Sequence, residues 1–207
     1  YALEAQASRI ASVLDTLGIR AALVLGHSLG GSIALRLALA RPDLVRSVVL
    51  IEGGGAERAA TPGLRRAMLF APWVKLFGGQ RLIRNQLRKS LAKSSADPGW
   101  VTDEVMEGYT RGVANNLDQT LKGYLRMVDA HDRSHLAPRL GLVHLPVLLI
   151  LGGAPHEGGP SSQEVDLLSK GLPQFSMLLV ARAGHHIQEE RPGELASMIS
   201  AFDIPRP

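Results

Sequence analysis

The sequence contains no cysteine, few aromatic residues and no long apolar run. The lack of cysteine excludes disulfide bonds, thiolate nucleophiles and cysteine-based metal sites, and it favours a reducing compartment, so we expect a cytoplasmic protein. Aromatic residues make up 4% of the chain and no nucleic-acid-binding motif is present, which argues against a nucleic-acid partner. Because a bilayer requires roughly 18 to 20 apolar residues, we expect no membrane span.

Acidic residues are almost missing from one stretch of the chain. Between residues 57 and 93 the only acid is Glu57, although the net charge of the whole chain is just +4. The basic residues of this stretch are Arg58, Arg65, Arg66, Lys75, Arg81, Arg84, Arg88, Lys89 and Lys93. Basic runs commonly form a solvated helix surface, which we favour here. Attraction of an anionic substrate or a membrane surface is the alternative.

Short apolar runs alternate with helical patterns at both ends of the chain. Its 207 residues, 45% of them hydrophobic, suit one compact domain. The patterns predict helices over 3–17, 30–40, 161–172 and 192–202, and strands over 21–25, 45–51, 147–151 and 175–180. Strand, helix and strand joined by tight connections form the unit of a parallel sheet. The fold class is therefore α/β, with a mostly parallel sheet flanked by helices.

The middle of the chain has a different character. From about residue 61 to residue 140 we find no convincing strand, only helical segments broken by proline and glycine. We therefore divide the chain into a core formed by residues 1–56 and 141–207 and a helical cap formed by residues 57–140. This segment includes the apolar residues Phe70, Trp73, Leu76 and Phe77. An acyl pocket is one interpretation of them, but residues at this spacing more often form a face that packs on the core.

The string GHSLGG, from Gly26 to Gly31, lies between a predicted strand and a predicted helix. A serine in such a turn is held in a strained conformation with its oxygen exposed above the sheet, which makes Ser28 the candidate nucleophile. Gly26 and Gly30 would remove side chains where strand and helix approach each other. The helix that follows directs its N-terminal dipole at developing negative charge, and the backbone N–H of Leu29 would serve as an oxyanion-hole donor.

Residues 17–53, LGIRAALVLGHSLGGSIALRLALARPDLVRSVVLIEG, resemble the α/β-hydrolase superfamily almost position by position. The resemblance extends from the first helix to the last and implies a partial α/β-hydrolase fold with a helical cap insertion. It also implies that the first strands are missing, that the chain is N-terminally truncated, and that the second oxyanion-hole donor lies in the absent part. In this family the serine is followed by a cap, an acid and a histidine, in that order.

The base implied by the resemblance is His185. The family pattern GHxxxxExP is matched by Gly184, His185, Glu190 and Pro192, and an imidazole within reach of a serine hydroxyl is needed to remove its proton. We assign no catalytic role to His27 or His144, and expect Glu189 and Glu190 to stabilise the closing helix. The spacing of His131 and His135 suits two metal ligands on one helix face, but with no third ligand we expect no metal site.

The usual family acid is missing from the sequence. After the strand that ends at Leu151 the family has glycine, two residues and aspartate, whereas here Gly152 is followed by Gly153, Ala154 and Pro155. Two replacements are possible. Glu52 ends the strand after the elbow helix, a position from which some relatives supply the acid, and Glu157 lies slightly beyond the usual site. We favour Glu52, because a strand end holds a carboxylate more rigidly than a loop does.

Together these residues predict a cofactor-independent serine hydrolase that cleaves an ester or a related acyl bond of a small molecule. Thioesters, lactones and amides remain open, as does cleavage of a carbon–carbon bond in a diketone-like substrate, and the sequence does not indicate an oligomeric state. The alternative is a non-catalytic relative that binds a ligand or a protein. Its support is the missing acid, whereas the intact GHSLGG and GHxxxxExP strings argue against it.

Overall fold

The computed structural model describes residues 1–57 and 79–202. Four strands are present in this part of the chain, β1 (Ala22–His27), β2 (Val45–Ile51), β3 (Val147–Gly152) and β4 (Phe175–Val180). The helices are α1 (Leu3–Thr16), α2 (Leu29–Ala40), α3 (Gly79–Ser94), α4 (Asp103–Asn115), α5 (Leu117–Val128), α6 (Ser162–Gly171), α7 (Ile187–Glu190) and α8 (Pro192–Phe202). The predicted α/β class is confirmed, and each predicted strand and helix is found within two residues of its expected ends.

The four strands form one parallel sheet in the order β1-β2-β3-β4. Val24 pairs with Val48, Val49 with Leu148 and Ile150 with Leu178, so the register continues across the sheet. All four strands therefore end at the same edge, and the loops that follow them meet there. In doubly wound proteins ligands bind at this edge of a parallel sheet.

Both faces of the central strands are buried, because successive side chains point to opposite faces. In β2, Val48 and Leu50 pack with α1, α2 and α6, whereas Val49 and Ile51 pack on the other face. Ile187 and Leu195 of α7 and α8 close that second face. Helices thus cover both sides of the sheet, as the sequence predicts.

The described part of the predicted cap, residues 79–140, is helical and contains no strand. Its first helix, α3, carries five of the lysine and arginine residues of the basic stretch. Two of them, Arg84 and Arg88, form ion pairs with Asp103 at the start of α4. These contacts agree with a solvated helix surface. The other lysine and arginine residues of the basic stretch, and the four apolar residues considered for an acyl pocket, fall in 58–78, outside the described residues. The division into core and cap stays a prediction.

One expectation about the middle of the chain is wrong, and one helix near its end is additional to the predicted ones. His131 and His135 do not share a helix face, because α5 ends at Val128 and both residues lie in a non-helical segment. His135 instead lies 3.7 Å from a carboxylate oxygen of Glu57. The short helix α7 follows shortly after the predicted base and is not among the predicted helices.

Across residues 1–57 and 79–202, none of the helices combines the length and the apolarity that crossing a bilayer requires.

Candidate active site

Ser28 occupies the turn between β1 and α2. Its backbone has φ 52° and ψ −120°, in the left-handed half of conformational space that residues other than glycine rarely adopt. Its N–H donates to the carbonyl of Ile51 at 2.8 Å, and its carbonyl accepts from Gly31 at 3.1 Å. Leu29 is the first residue of α2, where backbone N–H groups have no partner within the helix. The turn is a strained one of the type that exposes a nucleophile.

Neighbouring glycines leave room for this turn. A side chain at Gly26 would collide with the backbone of Gly30, and a Cβ at Gly53 would lie 2.5 Å from the carbonyl oxygen of Ser28. The expected steric role of Gly30 itself is wrong, since, apart from its chain neighbours and the adjacent backbone of α2, no described atom lies within 4 Å of the position its Cβ would take. The turn is therefore fitted against β1 and the segment after β2.

His185 lies in the loop after β4 and is 8% exposed. Its backbone N–H donates to the carbonyl of Ser94 at 2.7 Å, and its carbonyl lies 2.8 Å from Nε2 of His27. The rings of His27 and His185 are 4.6 Å apart. Because His27 directly precedes Ser28, these contacts bring the histidine loop against the serine turn.

Glu52 follows β2 directly and is 1% exposed. Its N–H donates to the carbonyl of Ile150, which fixes it to β3, and its φ is 53°, a strained value for this residue type. One carboxylate oxygen, Oε1, accepts a hydrogen bond from the N–H of Gly152. The other, Oε2, lies 2.9 Å from Nε2 of His156 and 3.4 Å from Nδ1 of His185. Two imidazoles therefore share one carboxylate oxygen.

The hydrogen-bond partners indicate which ring nitrogens carry protons. An ionised carboxylate only accepts, so the Nδ1–H of His185 points at Glu52, which leaves its Nε2 with a lone pair. This is the tautomer that a general base requires. His156 differs, because its Nδ1 faces the carbonyl of Ala154 at 2.7 Å and its Nε2 faces Glu52. Both nitrogens of His156 face acceptors, an arrangement that only the doubly protonated, cationic ring satisfies.

Burial and hydrogen bonding set the protonation states of this cluster. Burial raises the pKa of Glu52, but hydrogen bonds from His185, Gly152 and His156 outweigh it and hold the pKa below its ordinary value. Burial lowers the pKa of His156, but its contacts with Ala154 and Glu52 prevail and raise the pKa. Burial lowers the pKa of His27, and burial together with neighbouring His185 lowers that of His186 to about 4. These shifts favour the ionised form of Glu52 and the protonated form of His156.

The sequence as a whole fits one protein family. A family model described as the alpha/beta hydrolase family matches residues 1–198. The chain belongs to the alpha/beta hydrolase family. The resemblance in residues 17–53 and the fold described above agree with this membership.

The relatives of this alpha/beta hydrolase include several proteins named as hydrolases. It is 28% identical over 210 residues to the "Uncharacterized hydrolase YugF" of Bacillus subtilis, with 98% of this chain and 72% of that protein covered. It is 26% identical over 202 residues to a "2-hydroxy-6-oxononadienedioate/2-hydroxy-6-oxononatrienedioate hydrolase" of Pseudomonas sp, at 96% and 68% coverage. The "sn-1-specific diacylglycerol lipase ABHD11" of Mus musculus is 26% identical over 205 residues, at 96% and 64% coverage. The chain thus spans about two thirds of the length of these relatives, whose names indicate a hydrolytic enzyme.

Solved structures share the fold at low sequence identity. "Epoxide hydrolase CorEH without ligand" has a TM-score of 0.76 at 19% identity, with 99% of this chain and 75% of that chain covered. "Structure of a thermophilic esterase" has a TM-score of 0.67 at 22% identity, with 98% and 73% covered. At these identities the likeness establishes the fold alone.

The two predicted acids differ in their surroundings. The side chain of Glu157 is 72% exposed, and its described ion pair is with Lys93 on the protein surface, at 3.7 Å. Glu52 is buried and lies next to His185. The geometry therefore favours Glu52 over Glu157 as the partner of His185, although the catalytic role of both stays a prediction.

His156 was missed by the sequence reasoning. Counting the family pattern of glycine, two residues and aspartate from Gly153 instead of Gly152 places His156 where the aspartate is expected. That signal was available in the sequence. The hydrogen bond that joins His156 to Glu52 spans 104 positions in the chain, so only the adjacency of β2 and β3 brings the two residues together.

A metal ion has to be considered at this cluster, because ligand atoms of Glu52, His156 and His185 lie within 4.8 Å of one another. The spacing has another explanation, since both imidazoles hydrogen-bond to Glu52 and His156 lacks a free lone pair in its cationic form. The expectation of no metal site stays a prediction. Glu52 and His156 also line a cavity of about 310 Å³, together with Leu151, Gly152, Ala154, Pro155, Gly158, Gly159 and Pro160.

Glu190 has a different role from the helix-stabilising one expected. It is 8% exposed, and its Oε2 accepts hydrogen bonds from the N–H groups of Ala96 at 2.8 Å and Asp97 at 3.0 Å. Its Oε1 accepts from Gly184 at 2.9 Å. Glu190 thus binds the histidine loop to the segment that follows α3. Glu189 accepts a hydrogen bond from the hydroxyl of Tyr109.

Proposed function

We propose that this alpha/beta hydrolase is a serine hydrolase that cleaves an ester or a related acyl bond through an acyl-enzyme on Ser28. His185 is the general base and acid, Glu52 orients it, and the backbone N–H of Leu29 contributes to the oxyanion hole. The observation that carries the proposal is the pairing of a strained serine turn with a buried histidine whose Nδ1 faces a carboxylate.

In the first step the hydroxyl oxygen of Ser28 attacks the acyl carbonyl carbon and its proton passes to Nε2 of His185. The tetrahedral intermediate collapses, and the leaving alcohol or amine takes that proton from His185. Water then attacks the acyl-enzyme while His185 removes a proton from it. The carboxylic acid leaves, and the proton returns from His185 to the oxygen of Ser28. No cofactor enters these steps.

The 3.4 Å separation between His185 and Glu52 is longer than a typical hydrogen bond, which spans about 2.7 to 3.2 Å. Catalytic hydrogen bonds are often long in a ligand-free enzyme and shorten when substrate binds. The loop positions agree with this role, because Glu52 is fixed by β3 and by Gly152 while His185 is fixed by Ser94.

A second candidate reaction is hydrolysis of a carbon–carbon bond beside a carbonyl group. It is favoured by the Pseudomonas relative named as a hydrolase of 2-hydroxy-6-oxononadienedioate, a dicarboxylic ketone. The same serine, histidine and carboxylate would serve, with a carbon leaving group instead of oxygen. A set of ester and diketone-like substrates distinguishes the two reactions.

The proposal is tested by covalent labelling of the full-length protein with a fluorophosphonate, which reacts with activated serines. We expect one label per chain, lost in Ser28→Ala, together with a loss of about 10⁴-fold or more in ester hydrolysis. Chromogenic esters of increasing acyl length then define the substrate class.

The matched control is Ser12→Ala, since Ser12 lies exposed on α1 and donates to the carbonyl of Ser8. This variant should label and turn over like the wild type. A folded full-length protein that refuses the label would instead support the non-catalytic alternative, in which the fold serves as a binding module.

A further inference from the structure

His156 is the unexplained member of the cluster at the end of β2. Its side chain is 9% exposed and lies closer to Glu52 than the proposed base does, at 2.9 Å against 3.4 Å. A carboxylate whose task is to orient one imidazole has no evident need for a second one on the same oxygen. His156 therefore competes with His185 for the same carboxylate oxygen.

The ring of His156 is fixed at both nitrogens. Nδ1–H donates to the carbonyl of Ala154 and Nε2–H to Glu52, so the ring is held between the backbone after β3 and the carboxylate after β2. Because neither acceptor can donate, a neutral ring would leave one short contact between two lone pairs. The surroundings select the imidazolium form.

We propose that His156 is a cationic positioning residue that anchors Glu52 and lowers the basicity of His185. This inference rests on the proposed function, in which His185 is the base. The rings of His156 and His185 are 6.3 Å apart, so a positive charge on the first disfavours protonation of the second. Without the positive charge of His156, nothing would offset the attraction between the carboxylate of Glu52 and a proton on His185.

Other charged groups near the pair do not supply this effect. Several titratable or charged groups face the pair of His156 and His185. Glu52 follows β2, His27 ends β1, and His186 and Glu190 lie in or after the loop that carries His185. Glu157 and Lys93 form an ion pair at the surface. Burial keeps His27 and His186 neutral, and Glu190 is occupied by backbone N–H groups. Among the described residues, His156 is thus the cation in contact with the proposed acid.

The deciding experiment measures the pKa of His185 by NMR of its ring in the full-length protein, with and without His156→Gln. We expect both ring nitrogens of His156 to be protonated at pH 7.5, and the pKa of His185 to rise by about one unit in His156→Gln. The acid limb of the pH profile of kcat/KM should move upward by the same amount. His156→Lys, which keeps the positive charge, should leave the His185 pKa near the wild-type value.

The control is His144→Gln, because His144 is exposed and distant in the fold, before β3. A neutral His156 ring at pH 7.5, or a His185 pKa that is unchanged in His156→Gln, would overturn the inference. Thermal unfolding of each variant separates a loss of fold from a change of pKa. Since the NMR titration needs no turnover, it decides the matter even if the protein fails the fluorophosphonate test.

Discussion

Two buried charge clusters in this protein are built in different ways. On α2, Arg36 is 3% exposed and binds Asp132 at 2.5 Å, Glu57 at 3.5 Å and the backbone carbonyls of Ser32 and Ala56. At the carboxyl end of β2, the single carboxylate of Glu52 is shared by the imidazoles of His156 and His185. The first cluster satisfies a permanent charge with many partners. The second combines a carboxylate with imidazoles, the side chains whose ordinary pKa lies nearest neutral pH and which therefore commonly transfer protons.

The Arg36 cluster connects distant parts of the chain. Asp132 also accepts from the N–H of Glu4 on α1, and Glu57 accepts from the N–H groups of Leu136 and Ala137. The segment after α5 is thereby attached to the first two helices. We infer that this cluster serves stability and the Glu52 cluster serves chemistry. Each prediction below changes a residue of one cluster, or a neighbour of one, and measures the property that this cluster is inferred to serve.

The largest effect is expected from Glu52→Gln. The amide cannot stabilise the imidazolium of His185 as a carboxylate does, so we expect kcat/KM for an ester to fall by about 10⁴-fold. Glu157→Gln is the matched control, since this exposed carboxylate should be replaceable without loss. Ester kinetics and circular dichroism of both variants provide the measurement. Equal, wild-type-like activity in the two would refute Glu52 as the acid.

A large loss of stability is expected from Arg36→Met. The change leaves Asp132 buried without its cation, which typically costs about 3 to 5 kcal/mol. We expect a melting temperature lower by about 10 °C. In Arg41→Met, which removes an exposed ion pair with Asp15 and Asp43, the melting temperature should barely change. Equal melting temperatures for Arg36→Met and the wild type would contradict the stabilising role.

A smaller, pH-dependent effect is expected at His186, which contacts His185 and Ser94. Its pKa is about 4 in the folded protein, below the ordinary 6.5, so as pH falls the unfolded chain takes up a proton first. The free energy of unfolding therefore keeps the full contribution of the neutral His186 ring above pH 6.5. It loses that contribution as the pH falls from 6.5 towards 4.

His186→Asn should remove this part of the acid sensitivity. Between pH 7.5 and pH 5 the wild type should lose more stability than the variant, by about 1 kcal/mol once solvent screening of this partly exposed ring is taken into account. Urea unfolding at both pH values measures the difference, with His144→Gln as the exposed control. An identical acid dependence in His186→Asn and the wild type would show that His186 is not kept neutral by the fold.

Much of the architecture could be predicted because it depends on local patterns. The continuous apolar run of β2 marks a strand buried on both faces, and the GHSLGG string identifies Ser28 from neighbouring residues alone. The apolar spacing of α1 predicts the helix, although Ile10, Val13 and Leu17 of that stripe are exposed. Glu52 was favoured for a physical reason, the rigidity of a strand end, and the structure places it beside His185.

Features that depend on contacts between distant residues could not be derived in this way. The link of His156 to Glu52 arises from the pairing of β2 with β3, and the sequence reasoning counted the family pattern from the wrong glycine. The burial of Arg36 depends on Asp132, 96 positions away. The pair His131 and His135 was misjudged because nothing in its composition shows that α5 stops at Val128.

The attachment of the histidine loop to residues 94–97 has a consequence for protein engineering. Ser94 and Glu190 join the two segments through backbone hydrogen bonds, so α3 and the imidazole behave as one unit. A chimera that takes residues 94–97 from a homologue, through a crossover point before residue 94, would replace the segment that hydrogen-bonds to His185 and Glu190. Recombination borders placed after Asp97 keep the two together.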